Sequence, residues 1–325
     1  MRILICSHVF APSVGGTETV GRLLAEEFVS QGHEVRVLTQ SNGASAHRFE
    51  VYRRPSVSRM LRLIRWADVV FHNNISLKAA WPLGLLHKPW VITHHTWLDG
   101  TRPPDRLKRW LLSFASNIAI SPAIAQGLPV PSRVIPDPYE ASVFFSRRDP
   151  AKTRDVIFVG RLVSDKGCDL LAEAAQNLWK EGLEFSFTIV GDGPERARLE
   201  AQLQGRADFT GQLEPGRLAQ VMNQHRLAVV PSRWNEPFGV VALEAIACGC
   251  AVLGSSGGGL PEAIGKCGRT FRNGDLADLT KALREMLAAD LTSFTCHAEE
   301  HLQRHHPSRI AREYLEVFRT ACGSG

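Results

Sequence analysis

Short hydrophobic runs alternate along the whole chain with longer segments whose hydrophobic positions recur at helical spacing. In the first half, strand-like runs are RILIC, EVRVLTQ, DVVFHN, WVITHH and NIAIS, and TETVGRLLAEEFVSQG has helical periodicity ending at a glycine. In the second half, the strand-like runs DVIFVGR, FSFTIVGDG, ADFTG, LAVVPS, AVLGSS and GRTFRN separate the helix-like segments CDLLAEAAQNLWKEG, PERARLEAQLQG, PGRLAQVMNQH and FGVVALEAIACG. Such alternation predicts an α/β fold with parallel sheets covered by helices.

The alternation is interrupted once, at residues 140–155, by the charged, proline-containing segment EASVFFSRRDPAKTRD. A length of 325 residues suits two domains rather than one core. We therefore predict one domain over residues 1–145 and a second over 146–306. Residues 307–322 predict an amphipathic helix with Ser308 as N-cap, which needs a surface to bury its apolar face.

Composition narrows the class of protein. The chain is 44% hydrophobic and 22% charged, as expected of a globular protein. Its formal net charge of +5 favours phosphates or anionic lipids and is too small to indicate nucleic acid. Seven cysteines without a Cys-x-x-Cys pair predict buried thiols in a reducing compartment, not disulfides or a metal site. Without a membrane-spanning run or a signal-peptide cleavage site, we expect a cytoplasmic protein.

Two carboxylates in RWNEPFGVVALEAIACGC carry the first chemical signal. Glu236 lies between a strand and a helix, and Glu244 lies about two turns into that helix, roughly 8 to 12 Å away. Gly239 permits a tight turn that exposes backbone N–H groups, which bind phosphate at a helix N-terminus. A nucleotide sugar has hydroxyls at both ends and phosphates between them, and so fits this spacing. The alternative is a capping acid followed by a solvated glutamate.

Other strand ends in the second half add polar groups. Arg161 and Lys166 follow the strand DVIFVGR, where two cations suit a diphosphate. Gly191 and Gly193 end another strand and permit close backbone approach. The turn SSGGGLPEAI precedes a further helix. Ligands of parallel sheets bind beyond the carboxyl ends of the strands, so these groups predict one site.

These motifs resemble a known family. FVGRLVSDKG, IVGDGPERARLE, FTGQL, VPSRWNEPFGVVALEAIACG and GGGLPEAI follow the order and spacing of the retaining glycosyltransferases of family 4, and FAPSVGGTETV, WVITHHTW and VIPDPYEASVF extend the resemblance to the first half. The resemblance implies the GT-B fold, with two Rossmann-like parallel-sheet domains facing across a cleft. It also implies that the terminal helix 307–322 crosses back to the first domain.

The resemblance also implies roles for the acids and for the backbone between them. Glu236 would hold the hydroxyls of the donor sugar, and Glu244 would bind the ribose of the nucleotide. Phe238, Gly239 and Val240 would present backbone to the sugar and the diphosphate.

The remaining implied roles lie elsewhere in the chain. Arg161 and Lys166 would neutralise the diphosphate, and Leu213 would present backbone to the base. Gly16 would contact the diphosphate from the first domain. His95 would lie near the reacting carbon, whereas the preceding His94 is interpreted as a packing residue.

The chain departs from the family in one turn. Pro136-Asp137-Pro138 stands where the family commonly has Pro-Asn-Gly, and proline cannot adopt the positive φ that glycine allows. The chain also lacks an Asp-x-Asp metal motif, so we expect no metal and no cofactor. The chain is short for the family, which predicts trimmed acceptor-binding loops in the first half.

The predicted function is transfer of a sugar, with retention of configuration, from a nucleoside-diphosphate sugar to a hydroxyl of a glycan, lipid-linked or small-molecule acceptor. UDP is favoured as the nucleotide and GDP is next. The alternatives are a nucleotide-sugar epimerase and a catalytically inactive donor-binding subunit. Arg59, Arg62 and Arg65 recur at helical spacing, so the helix that carries them either contacts an anionic membrane peripherally, at its inner face, or presents a solvated basic face.

Overall fold

A computed structural model describes residues 1–13, 15–43, 46–98, 100, 103–147 and 152–323. The chain divides into two compact units. Met1–Pro138 and His305–Gly325 form the first, and Tyr139–Arg304 form the second. The predicted linker, 140–155, lies in the second unit, and its residues 148–151 lie outside the described residues.

The first unit contains a parallel sheet with the strand order β3-β2-β1-β4-β5-β6-β7. Its strands are β1 (Arg2–Ser7), β2 (Glu34–Thr39), β3 (Glu50–Arg53), β4 (Val69–Asn73), β5 (Trp90–His94), β6 (Ser116–Ala119) and β7 (Arg133–Val134). Ile3 pairs with Val35 of β2 and with Val69 of β4, which places β1 between these two strands. The central strands β4 and β5 are buried throughout, as expected where helices cover both faces.

Helices cover both faces of this sheet. They are α1 (Gly16–Ser30), α2 (Val57–Trp66), α3 (Leu77–Ala80), α4 (Leu83–Leu86), α5 (Pro103–Leu111), α6 (Pro122–Gly127) and the last helix of the chain, α15 (Pro307–Gly323). Side chains alternate between the two faces of β1, so Ile3 and Ile5 pack against α1 and α15. Leu4 and Cys6 point to the opposite face, which α2, α3, α4 and the turn Leu112–Phe114 cover.

The last helix is part of the first unit's core. Tyr314 and Phe318 of α15 are fully buried, and their rings lie 5.5 and 5.4 Å from that of Phe71 on β4. The Phe318 ring also lies 5.4 Å from that of Phe28 on α1. The apolar face predicted for residues 307–322 is therefore buried against α1 and the sheet.

The second unit contains a parallel sheet with the order β10-β9-β8-β11-β12-β13. Its strands are β8 (Arg154–Val159), β9 (Phe187–Val190), β10 (Asp208–Gly211), β11 (His225–Val230), β12 (Ala251–Ser255) and β13 (Gly268–Phe271). Its helices are α7 (Cys168–Lys180), α8 (Arg196–Leu203), α9 (Pro215–Asn223), α10 (Val240–Ala247), α11 (Leu260–Ile264), α12 (Leu276–Ala288), α13 (Thr292–Thr295) and α14 (Ala298–Arg304). A core of strand side chains packs against α7 and α12.

All seven cysteines are free thiols, and five of them are buried. Burial raises the pKa of Cys250 and of Cys267 to about 11. Cys296 is exposed, so the prediction of buried thiols does not hold there. No helix within the described part of the chain is long and apolar enough to cross a bilayer.

Candidate functional site

Three adjacent strands of the second unit end side by side, and their loops form the candidate site. β8 is followed by residues 160–167, β11 by 231–239, and β12 by 256–259. The acids and cations predicted from the sequence lie on the first two of these loops and on α10. The third loop, Ser256-Gly257-Gly258-Gly259, packs against the second.

Glu236 is paired with Lys166. The Lys166 Nζ atom lies 2.6 Å from Glu236 Oε1, and the Ser232 hydroxyl donates to the same oxygen at 2.6 Å. Glu236 is only 9% exposed, so these two donors take the place of water around its carboxylate. The structure thus brings together two predicted site residues that are 70 positions apart.

The backbone of Glu236 is also fixed. Its carbonyl accepts a hydrogen bond from the Gly259 N–H at 2.7 Å and forms a parallel bridge with Gly258. Gly258 has φ +71°, and a Cβ at this position would overlap the Glu236 carbonyl oxygen. Only glycine therefore allows this close approach.

The loop after β8 positions Lys166 next to Glu236. Its Asp165 carbonyl accepts from the Arg233 N–H at 2.9 Å, and the Arg233 guanidinium donates to the Ser164 carbonyl at 3.1 Å and pairs with Asp169. Lys166 also lies 5.9 Å from the ring of Trp234, which is 38% exposed. These contacts fasten the β8 loop to the β11 loop.

Arg161, in contrast, is exposed, and its guanidinium has no ion pair with any carboxylate among the described residues. It is therefore available to an anion at this strand end. Gly191 and Gly193 have φ +134° and +159°. A Cβ at Gly193 would lie 2.5 Å from the Leu162 carbonyl oxygen, and one at Gly191 would overlap that of Gly160. These two glycines therefore allow the backbone that follows β9 to lie close against the β8 loop.

The segment around α10 contains the other predicted donor-binding residues. Phe238 is buried, Gly239 has φ +111° as N-cap of α10, and Val240 is the first residue of the helix. A Cβ at Gly239 would lie 2.6 Å from Leu260 Cδ1, so the turn packs closely on α11. Leu213 is half-buried between β10 and α9.

Glu244 lies in the second turn of α10. Burial, together with the charge of Glu140, raises the pKa of Glu244 to about 7. This carboxyl is therefore about half protonated at neutral pH. Its ionised form is poorly compensated by the surrounding protein.

The first unit holds the other two predicted residues. Gly16 is the exposed first residue of α1. His95, 5% exposed, directly follows β5; its Nε2 atom lies 2.7 Å from Asn73 Oδ1, and its Nδ1 atom lies 3.2 Å from Asp137 Oδ1. The Asn74 side chain accepts from the His95 backbone N–H at 2.9 Å.

His94 points elsewhere. It is 2% exposed, and its Nε2 atom lies 3.0 Å from Asn117 Oδ1. Asn117 donates its amide to the carbonyls of Leu112 and Ala115, so its oxygen accepts the His94 proton. Burial lowers the pKa of His94 to about 4, so this histidine is neutral at physiological pH.

Sequence reasoning missed the partners of the predicted residues. Ser232 and Asn73 were not considered, and Asp137 was noted only as a departure from a family motif. A signal existed for Asn73, because the polar pair Asn73-Asn74 stands at the carboxyl end of β4, where ligands of parallel sheets bind. No group of three His, Cys, Asp or Glu side chains suited to a metal ion occurs among the described residues.

Comparison with known proteins decides the family. The model described as Glycosyltransferase Family 4 matches residues 14–136, and the model described as Glycosyl transferases group 1 matches residues 153–289. The chain belongs to the family 4 glycosyltransferases. Both halves of this glycosyltransferase thus match, in the expected order.

Curated relatives agree with this assignment. The phosphatidylinositol N-acetylglucosaminyltransferase subunit of Schizosaccharomyces pombe is 25% identical over 97% of this chain and 80% of its own length. The sulfoquinovosyl transferase of Arabidopsis thaliana is 34% identical over 46% of this chain. The matched part is 29% of the plant protein, so the chain spans only a fraction of that relative.

Solved structures agree on the fold. Anabaena HepE, crystallised with UDP, superimposes with a TM-score of 0.82 at 21% identity, over 98% of this chain and 100% of that one. Sucrose-phosphate synthase from Thermosynechococcus elongatus gives a TM-score of 0.79 at 20% identity over the full length of both chains. The two Rossmann-like parallel-sheet units of this glycosyltransferase are those of the GT-B fold.

Proposed function

We propose that this glycosyltransferase uses a nucleoside-diphosphate sugar, with UDP favoured and GDP next, and binds it at the β8, β11 and β12 loops of the second unit. The observation that carries the proposal is the Lys166–Glu236 ion pair, which holds a cation and a buried carboxylate together where the adjacent strands β8 and β11 end. The UDP complex of HepE supports the choice of nucleotide.

Each charged residue has a distinct task in this proposal. The Lys166 ammonium has three donors and gives one to Glu236, which leaves two for diphosphate oxygens. Arg161 and the N-terminus of α10 add further donors to the same anion. Glu236 accepts from sugar hydroxyls with its second carboxylate oxygen, and Glu244 accepts from the ribose hydroxyls.

The proposed reaction retains the anomeric configuration and needs no metal. The bond between the anomeric carbon and the diphosphate breaks, and a bond to the acceptor oxygen forms on the same face. The acceptor proton goes to a phosphate oxygen of the departing nucleoside diphosphate. Lys166 and Arg161 stabilise the charge that develops on this leaving group.

For His95 we propose the place near the reacting carbon that the family resemblance implies. Both ring nitrogens are within reach of protein oxygens, on Asn73 and Asp137. The ring therefore contacts the sugar only if a sugar hydroxyl replaces Asn73 or Asp137 at one of these nitrogens. Gly16, exposed at the start of α1, is proposed to contact the diphosphate from the first unit.

The acceptor is proposed only as a hydroxyl of a glycan, a lipid-linked saccharide or a small molecule, because the relatives' names span phosphatidylinositol, 2-deoxystreptamine and inositol phosphate transferases. Epimerisation of a nucleotide sugar remains the second candidate, since it shares the donor site. An inactive donor-binding subunit is disfavoured by the intact Lys166–Glu236 pair.

Turnover assays test this function. The purified protein is incubated with a panel of UDP- and GDP-sugars and simple sugar acceptors, and the anomeric configuration of any product is read by proton NMR. We expect nucleoside diphosphate release, a retained configuration and full activity in EDTA. Interconversion of the donor sugar without release of nucleotide would identify an epimerase, and activity abolished by EDTA and restored by magnesium would overturn the metal-free mechanism.

A further inference from the structure

Helix α5 has nine residues, and none of them is buried. Together with the following turn, it carries Leu107, Trp110, Leu111 and Phe114 at the spacing i, i+3, i+4 and i+7. Leu107 is 47% exposed, Trp110 60% and Phe114 61%. The rings of Trp110 and Phe114 lie 4.9 Å apart, so the stripe is continuous.

Leu107, Trp110 and Phe114 are not needed to attach α5 to the unit. The attachment is made by Leu112, which is fully buried in the core under α2, α3 and α4, with Leu111 packed beside it. Trp81, 48% exposed, lies on the neighbouring connection between β4 and β5, in the same helical layer. We call Trp81, Leu107, Trp110 and Phe114 the α5 surface. They account for four of the nine large hydrophobic side chains exposed among the described residues.

The sequence segment that contains α2 to α5 carries an excess of positive charge larger than that of the whole chain. Residues 54–111 contain ten Arg and Lys and three Asp, a net charge of +7, whereas the complete chain has +5. The remainder is therefore slightly acidic. Arg62 and Arg65 of α2, Lys78 of α3 and Arg106 of α5 are exposed, and none of the four pairs with a carboxylate in the part of the chain that the structure describes.

Helix α2 contributes mainly charge to this surface. Met60, Leu63 and Ile64 are buried in the core, and Val57, 55% exposed, is the exposed large hydrophobic side chain of the helix. The arginines of α2 are exposed, whereas the apolar stripe lies on α5.

We propose that the α5 surface docks on an anionic lipid bilayer. Trp110, Phe114 and Leu107 enter the boundary between headgroups and acyl chains, where tryptophan and phenylalanine are favoured. The surrounding arginines and lysines bind the lipid phosphates. This inference is independent of the proposed donor and acceptor.

The charge distribution selects a membrane over a second copy of this chain. A two-fold contact through the α5 surface would place two positively charged layers against each other, which is unfavourable. An anionic bilayer satisfies both the exposed aromatic groups and the unpaired cations.

Vesicle flotation tests the proposal. The full chain is floated with vesicles of phosphatidylcholine containing phosphatidylglycerol, and with phosphatidylcholine alone. We expect binding to the anionic vesicles that weakens as salt is raised. The triple variant Leu107→Gln, Trp110→Gln, Phe114→Gln should lower the partition coefficient roughly tenfold or more, since three interfacial side chains are lost. Phe145→Gln, which removes a phenylalanine that is 46% exposed in the second unit, is the matched control and should bind normally.

A second measurement separates insertion from charge attraction. Brominated lipids should quench part of the tryptophan fluorescence of the wild type, and the double variant Trp81→Phe, Trp110→Phe should remove that part. The proposal is overturned if the triple variant floats as well as the wild type. It is also overturned if sedimentation velocity shows a dimer that the triple variant loses while no vesicle binding occurs.

Discussion

His95 and Asp137 form a buried pair in which the imidazole Nδ1 atom lies 3.2 Å from the carboxylate. The other ring nitrogen, Nε2, faces Asn73 Oδ1. The Asn73 amide nitrogen donates to the Thr17 carbonyl at 2.9 Å and to the Ser7 hydroxyl at 3.2 Å, so its oxygen has to point at His95. Both ring nitrogens thus face side-chain oxygens, on Asn73 and on Asp137.

The first prediction follows from these contacts. Asp137→Ala removes the buried carboxylate that faces His95 Nδ1, so it should lower the free energy of unfolding by about 1–3 kcal/mol, measured by chemical denaturation. An unchanged free energy of unfolding in Asp137→Ala would show that the carboxylate does not hold the His95 ring in place.

The second prediction concerns the dependence of stability on pH at Glu244. Its pKa rises from an ordinary 4.5 to about 7 in the folded protein, so folding disfavours the ionised form. The loss of folding stability caused by Glu244 is absent below pH 4.5, grows between pH 4.5 and 7, and is constant above pH 7. Glu244→Gln should therefore raise the free energy of unfolding at pH 8 by about 3 kcal/mol, and by little at pH 4.5.

The same substitution should weaken nucleotide binding, because a carboxylate that accepts from ribose is lost. We expect a loss of about 1.5–3 kcal/mol in the binding free energy of UDP, measured by calorimetry at pH 8. Glu173→Gln, on the exposed side of α7, is the matched control and should change neither quantity. Glu244→Gln that binds UDP normally would remove Glu244 from the proposed donor site.

The third prediction separates the two cations of the donor site. Lys166→Met leaves the buried Glu236 carboxylate with the Ser232 hydroxyl and should destabilise the fold by about 2 kcal/mol. Arg161→Met removes an exposed, unpaired cation and should leave the melting temperature unchanged. Both should lower turnover roughly a hundredfold, because each acts on the leaving group.

A double-mutant cycle checks the Lys166–Glu236 interaction directly. Glu236→Gln in the Lys166→Met background should restore most of the lost stability, since the uncompensated charge is gone, while activity stays low. Independent, additive losses of stability in chemical denaturation would mean that the two side chains do not interact in solution.

The fourth prediction uses two glycines with nearly the same backbone conformation. Gly258 and Gly274 have φ +71° and +73°, so alanine is strained at either position by about 1 kcal/mol. Only at Gly258 would the new Cβ meet the Glu236 carbonyl; at Gly274 the space is open. Gly258→Ala should therefore lose donor binding and more stability than Gly274→Ala in paired denaturation and UDP titration experiments. Equal losses of stability and of UDP binding in the two variants would indicate that backbone strain alone, and not the contact with Glu236, explains the effect of alanine at position 258.

The sequence predicts the repeating elements of the fold well because the buried parallel strands are short apolar runs. It fails at β3 and β7, which lie at the two edges of the first sheet, where β3 is only half-buried and β7 has two residues. Helix α12 was also missed, although Asp275 precedes it and accepts a hydrogen bond from the Asp278 N–H as an N-cap.

The site shows a different limit. Residues that follow strands can be predicted as site residues because all parallel strands end at one edge. Their partners cannot, because the pairing of Lys166 with Glu236 depends on how the β8 loop is fastened by Arg233 and by the close packing at Gly167. Likewise, nothing in the run WVITHH distinguishes a neutral His94 from a His95 that faces a carboxylate 42 positions later.

The position of α15 in the first unit affects how the chain can fold during translation. During synthesis from the amino terminus, one face of the first sheet lacks Tyr314 and Phe318 until these residues leave the ribosome. The second unit, Tyr139–Arg304, has all its own residues earlier. We therefore expect the nascent chain to complete the later-encoded unit first, while the first sheet stays unfinished, with apolar side chains open to chaperones, during translation of residues 139–304.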